Sequence, residues 1–321
     1  MKSSAVKKLL SYILIATALG IILRHFLLDK EEIHRLTQIS FNHQILLIFI
    51  YLLIHQLSTL KIFIFLRKLG LRDIKYLDWF KIFIVSRFAN LHVTQGANIY
   101  RSIKLKKEYD FPYTKSISLI AVFTWFECVI VLTILAFILL SANNHQTIKG
   151  INILSLTFGM ITLFLALPYV SRYILLRIQP RQEKLVWLRE RIKDLIESLI
   201  KSLHDYKLVL MITLISSITF CILSGWIYIC FDAIGTKVNL TFVAIFTTTI
   251  IFSRAFNIVP GNIGLRELLC GYLGQAFGWG ISPGIIVSGL IRIVEYLTVT
   301  ILGILFAKTI FIRKKITDAA Q

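Results

Sequence analysis

The sequence predicts an all-α integral membrane protein with about six full transmembrane helices plus two re-entrant helical hairpins, arranged as an inverted repeat. Three observations carry that prediction. Apolar residues fall into runs long enough to cross a bilayer, basic residues fill the gaps between the runs, and a short element around Arg87 returns around Arg254.

Of the 321 residues, 56% are hydrophobic and only 17% are charged, and the mean hydropathy is +0.75. A soluble domain is about half apolar and about a quarter charged. A bilayer core needs about 20 consecutive, mostly apolar residues per helix. Residues 9–28, 45–66, 116–140, 151–176, 208–231 and 284–308 meet that length. Apolar Leu9 to Leu23 is followed by Arg24, His25 and the charged stretch Asp29 to Arg35, not by a small-residue cleavage site. A retained span is therefore expected there, not a removed leader.

Residues 79–92 are apolar but short, and they run into Val93, Thr94, Gln95 and Gly96. Arg67, Lys68, Arg72 and Lys75 precede this segment and Lys81 sits at its start, while Arg101, Lys104, Lys106, Lys107 and Lys115 lie on the other side. The positive-inside rule puts both flanks in the cytoplasm, so the segment should enter and leave on one side. Non-helical backbone at that depth survives only when buried in protein or lining a wet cavity.

The same rule puts both termini in the cytoplasm, through Lys2, Lys7 and Lys8 and through Arg313, Lys314 and Lys315. The loop 141–150 falls outside and the basic stretch 177–207 inside. The chain then closes only if 240–282 makes no net crossing, as a second hairpin entered from outside. Otherwise 240–258 spans alone and 265–281 returns. Between the spans, 180–207 reads as an amphipathic cytoplasmic helix. Leu185, Leu188, Ile192, Leu195, Ile196, Leu199 and Leu203 form its apolar stripe, lying on the membrane surface or packed on the bundle.

Ser86, Arg87 and Asn90 match Ser253, Arg254 and Asn257 at one common offset. Gly96 with Gly264, and Glu127 with Glu295, match one residue further on. The halves are then 1–141 and 151–308. Three full crossings in each half force opposite orientations, the plan of many transporters with a site near the midplane.

Ionisable groups at bilayer depth are costly and usually face the bundle interior. The candidates for substrate binding are Arg87, Arg254, Arg292, Arg266, Glu267, Glu127 and Glu295. Arginine offers a planar fork of donors that grips phosphate or carboxylate and keeps its charge. The glutamates would hold these arginines or titrate in a proton cycle, and Glu267 also suits a helix N-terminus. Pro260, Gly261 and Gly264 allow a tight reversal, after which helix amides would face the cavity as an anion site. His55 and Gln56 suit helix–helix hydrogen bonds, Lys61 a snorkelling position, and Trp79, Trp187, Trp226 and Trp279 interfacial belts.

The net charge of +19 needs no nucleic acid. It orients the spans and attracts anionic headgroups, and no recognition motif accompanies it. Cys128, Cys221, Cys230 and Cys270 follow no zinc spacing and read as packing thiols. No metalloprotease, nucleophile-elbow or phosphate-loop pattern occurs, so neither an enzyme nor a cofactor is expected.

The run Pro260, Gly261, Asn262, Ile263, Gly264, Leu265, Arg266, Glu267, with Arg292 in the next span, resembles the flippase-like family related to the transmembrane domain of lysylphosphatidylglycerol synthase. That family's earlier element would fall on Val93 to Arg101. Here Val93 stands at its proline, Thr94 and Ala97 at its glycines and Asn98 at its glutamate, and only Arg101 is kept. The resemblance covers most of the chain. It implies movement of an anionic phospholipid or a polyprenyl-phosphate-linked saccharide between leaflets of the cell membrane. The alternative is a non-transporting partner that presents lipid to a glycosyl- or aminoacyltransferase. The synthase's lysine-transferring domain has no counterpart up to Gln321, so lysyl-lipid synthesis is not expected.

Overall fold

A computed structural model describes residues 39–142, 147–148, 150–177, 183–255 and 262–319, with side chains followed to Ala307 at the C-terminal end. The expected first span, 9–28, lies outside the described residues, as do Pro260 and Gly261. The described helices are α1 (Phe41–Lys68), α2 (Tyr76–His92), α3 (Gly96–Tyr109), α4 (Tyr113–Ser141), α5 (Ile153–Arg177), α6 (Glu183–His204), α7 (Tyr206–Ala233), α8 (Leu240–Ala255), α9 (Leu265–Ala276) and α10 (Ile281–Ala319). A two-residue hairpin, β1 (Thr147–Ile148) with β2 (Ile151–Asn152), joins α4 to α5.

Five of these, α1, α4, α5, α7 and the first 27 residues of α10, are long and apolar enough to cross a membrane. The chain is thus an all-helical, multi-pass membrane protein. Asn152, Asp205 and Asn239 start α5, α7 and α8 by accepting backbone N–H bonds from Leu154, Leu208 and Phe242, at 2.9, 3.1 and 2.8 Å. The carboxyl of Asp205 is held below the usual carboxylate range, first by the Lys68 ammonium hydrogen-bonded to it and then by the Leu208 amide.

The contacts divide the chain into two compact units. The first holds residues up to Gln56, Leu77–Tyr100 and Ile222 onward; the second holds Leu57–Tyr76 and Arg101–Cys221.

In the second unit α4 packs on α5, and α6 lies against both. The Trp125 indole donates to Phe164 O at 2.8 Å, and Arg189 Nε donates to Leu175 O at 2.9 Å. Ile196 and Leu199 of α6 are buried, while Trp187 and Ile192 are exposed. Of the two readings of the amphipathic stretch, packing on neighbouring helices therefore holds for its C-terminal part.

In the first unit the Trp226 indole donates to Leu47 O at 2.9 Å, tying α7 to α1. Phe231, Phe242 and Phe246 stack between α7 and α8, with ring centroids 5.1 to 5.7 Å apart. Trp79 and Trp226 are both fully buried. Their expected interfacial placement is corrected: each indole fills the protein interior instead of marking a lipid boundary.

At the first expected hairpin, Gln95 adopts φ 61°, and the Gly96 N–H donates to Val93 O at 2.8 Å to turn α2 into α3. At the second, residues 256–261 lie outside the described residues; Asn262 and Gly264 lead into α9, which packs tightly on α10. That contact is backbone to backbone. A Cβ on Gly284 would collide with the carbonyl of Cys270, as close helix contacts built from small residues require. Gly284→Ala is expected to cost about 1–3 kcal/mol through overpacking. A thermal unfolding midpoint in detergent unchanged from wild type would contradict this contact.

Candidate functional site

Four arginines approach one another in the first unit, each delivered by a different piece of local structure. Arg87 lies one turn from the end of α2, and Arg254 lies at the end of α8. Arg266 is the second residue of α9, and Arg292 sits three turns into α10. With Asn90, Leu91, Ser253, Asn262, Glu295 and Tyr296, they line a cavity of about 40 Å³. That is room for a few waters at most.

Glu267 organises the α9 start. Its Oε2 accepts the Gly264 N–H at 2.7 Å, and its Oε1 accepts Arg292 Nε at 2.7 Å. Gly264 has φ 83°, a conformation that side chains with a Cβ resist. The carboxylate therefore fixes both the turn and the guanidinium. Arg292 Nη2 also donates to Asn262 O at 3.1 Å, and Asn262 Nδ2 donates to Ser253 O. Ser253, Asn262, Gly264, Glu267 and Arg292 thus form one continuous network from the end of α8 to α10.

Glu295 organises the other side. It accepts Arg266 Nη1 at 3.1 Å, and Arg254 Nη2 lies 3.9 Å away, an ion pair without a hydrogen bond. Arg266 is 3% exposed and also donates to Ser288 O at 3.4 Å. Arg87 Nε, Arg254 Nε and Arg254 Nη2 are buried without a hydrogen-bond acceptor among the described residues. Arg87 instead lies over the Phe83 ring, 5.8 Å from its centroid.

The matched elements behave alike. Ser86 Oγ donates to Phe83 O at 2.6 Å and Ser253 Oγ to Ile250 O at 2.8 Å, each reaching back three residues. Each serine thereby satisfies its hydroxyl just before the arginine that follows it.

Several expectations change. The Gly264 amide at the start of α9 is taken by the protein's own Glu267, so that amide is not open to an external anion. Glu127 is not among the residues lining the cavity; it belongs to the second unit. There Lys61 Nζ donates to both of its carboxylate oxygens at 2.8 Å and to Ser216 Oγ at 3.3 Å. Lys61 is 2% exposed and does not snorkel, because its ammonium has a carboxylate within reach inside the protein. His55 is buried against Tyr51, with ring centroids 4.4 Å apart. Cys128, Cys230 and Cys270 are buried free thiols, and Cys221 is exposed.

Sequence reasoning missed the Lys61–Glu127–Ser216 cluster, and it named Asn90 and Asn262 only as motif letters. A lysine deep in an apolar run together with a glutamate deep in another was the available signal.

Fold and site together define a helical, multi-pass membrane protein that buries a cluster of arginines and carboxylates. Residues 10–303 match the lysylphosphatidylglycerol synthase TM region, and the chain belongs to that family. No curated protein and no solved structure was found to match.

Breaking a buried ion pair strands a charge, whereas replacing both partners does not. Glu127→Ala is therefore expected to cost about 3–5 kcal/mol, while Lys61→Met with Glu127→Leu should stay within about 1 kcal/mol of wild type. Equal losses in the single and double variants, measured by unfolding in detergent, would argue against the pair.

Proposed function

We propose that this chain is a lipid transporter that moves an anionic phospholipid or a polyprenyl-phosphate-linked saccharide between the leaflets of the cell membrane. The convergence of Arg87, Arg254, Arg266 and Arg292 on one cavity carries the reading. Such a cluster in a membrane protein is costly unless it meets an anion. Membership of a lipid-related membrane family supports the same reading.

In this reading α2 with α3, and α8 with α9, are re-entrant hairpins of an inverted repeat with halves 1–141 and 151–308, and both termini are cytoplasmic. At about 1.5 Å per residue the arms α2, α3 and α9 are about 26, 21 and 18 Å long. Each is shorter than a hydrocarbon core of about 30 Å, which favours arms that turn back over arms that cross.

Arg87 and Arg254 would grip the headgroup while the acyl chains stay in lipid. Arg292 and Arg266, already bound to Glu267 and Glu295, would hold the walls. A cavity of about 40 Å³ does not hold a headgroup. Transport then requires the hairpin tips to separate and close again, in alternating fashion.

Reconstitution in liposomes with a leaflet-selective, labelled anionic phospholipid tests the proposal. Wild type is expected to move the lipid, and Arg254→Gln to slow it by about tenfold or more, the loss of one charge-assisted contact. Full transport by a folded Arg254→Gln protein would sink the headgroup grip. No movement of any anionic lipid by folded wild type would favour a role in presenting lipid to a transferase.

A further inference from the structure

We infer that the cavity selects a phosphate carrying two negative charges, the monoester terminus of a lipid, over the singly charged phosphodiester of an ordinary phospholipid. The inference rests on the lipid-transport reading and narrows its substrate class.

Four guanidinium groups line the cavity, and the carboxylates in contact with them are Glu267 and Glu295. Arginine does not shed its proton, so among the described residues the cluster keeps a surplus of two positive charges. The surplus is also localised. Glu267 is committed to Arg292 and the Gly264 amide, and Glu295 makes its hydrogen bond to Arg266. Arg87 Nε, Arg254 Nε, Arg254 Nη2 and Arg266 Nε lie buried without an acceptor among the described residues, but Arg266 already donates to Glu295 through Nη1, which leaves Arg87 and Arg254 as the arginines without a hydrogen bond to a carboxylate.

The remaining donors then choose among headgroups. A diester offers two unesterified oxygens sharing one charge, which leaves one arginine uncompensated. A monoester offers three oxygens and close to two charges, with directions enough for two guanidinium forks. A zwitterionic head adds an amine to a cluster already rich in cations. A lysyl ester of phosphatidylglycerol adds two amines, so the lipid in the family's name is a poor fit for this chain's cavity.

Binding to the purified full chain in detergent, at one pH near 8, separates the possibilities. The probes are short-chain phosphatidic acid, phosphatidylglycerol, lysylphosphatidylglycerol, phosphatidylcholine and inorganic phosphate. Phosphatidic acid is expected to bind about tenfold or more tighter than phosphatidylglycerol, the effect of one added charge pair in a desolvated site. The other two lipids should bind no better than background. Arg87→Gln should weaken phosphatidic acid by about tenfold and phosphatidylglycerol much less, closing the gap between them. Phosphatidylglycerol binding as tightly as phosphatidic acid to wild type would overturn the inference and leave lipid transport standing; this comparison needs no variant. Inorganic phosphate binding as tightly as phosphatidic acid would uphold the dianion preference and sink the lipid reading. Binding of none of the anions would overturn both.

Discussion

Glu267 holds the first unit's chemistry in register. One carboxylate oxygen caps the left-handed turn at Gly264, and the other fixes Arg292 on the neighbouring helix. The turn cannot relax without releasing the arginine, and the arginine cannot leave without uncapping α9. Because the group is buried, each bond is stronger than it would be in water, and its loss would strand a charge. Asn262 extends this link to the carbonyl of Ser253, so the end of α8 and its Arg254 are set by the same chain of bonds. The positions of two arginines, Arg292 and Arg254, thus descend from a single acidic side chain.

The surrounding helices obey a second constraint, the absence of water to satisfy polar groups. Thr247, Thr248 and Thr249 of α8 each donate a hydroxyl to the carbonyl four residues back, at 2.7 to 3.0 Å. Ser86 and Ser253 do the same over three residues. Hydroxyls satisfied within their own helix can sit at any depth and in any rotational setting. They make a polar-looking segment such as 247–253 compatible with an apolar environment, and they leave the neighbouring arginines as the groups that still seek partners.

This pattern explains which parts were legible from the sequence. Helix existence was, because a run such as 116–140 fixes both length and period locally. So was the likeness of Ser86-Arg87 to Ser253-Arg254, to the extent that both serines bond back three residues, because a short repeated element sits in contiguous residues. The partner of Glu127 was not. Lys61 is 66 residues away, and hydropathy near a helix end cannot tell a lysine that reaches outward from one that turns inward. The same ambiguity misled the reading of Trp79 and Trp226. An indole near a span's end looks identical whether its face meets lipid or another helix, and only packing decides. The matched positions of Glu127 and Glu295 gave no hint that one would hold a lysine and the other two arginines.

That last difference separates the two units by kind. Among the described residues the second unit's Lys61 cluster is balanced: one ammonium, one carboxylate, and a serine hydroxyl that completes the set. Such a cluster is closed and needs nothing further, so fixing helices in place is a sufficient account of it. The first unit's charges are unbalanced in number and in hydrogen bonds. A purely structural cluster gains little from Arg87, since trimming it to an apolar residue would remove a desolvation cost without breaking an ion pair among the described residues, Arg254 being the one paired with Glu295. On the lipid-transport reading, the imbalance is a demand placed on an anion outside the chain. An anion entering between the tips of α2 and α8 would meet it.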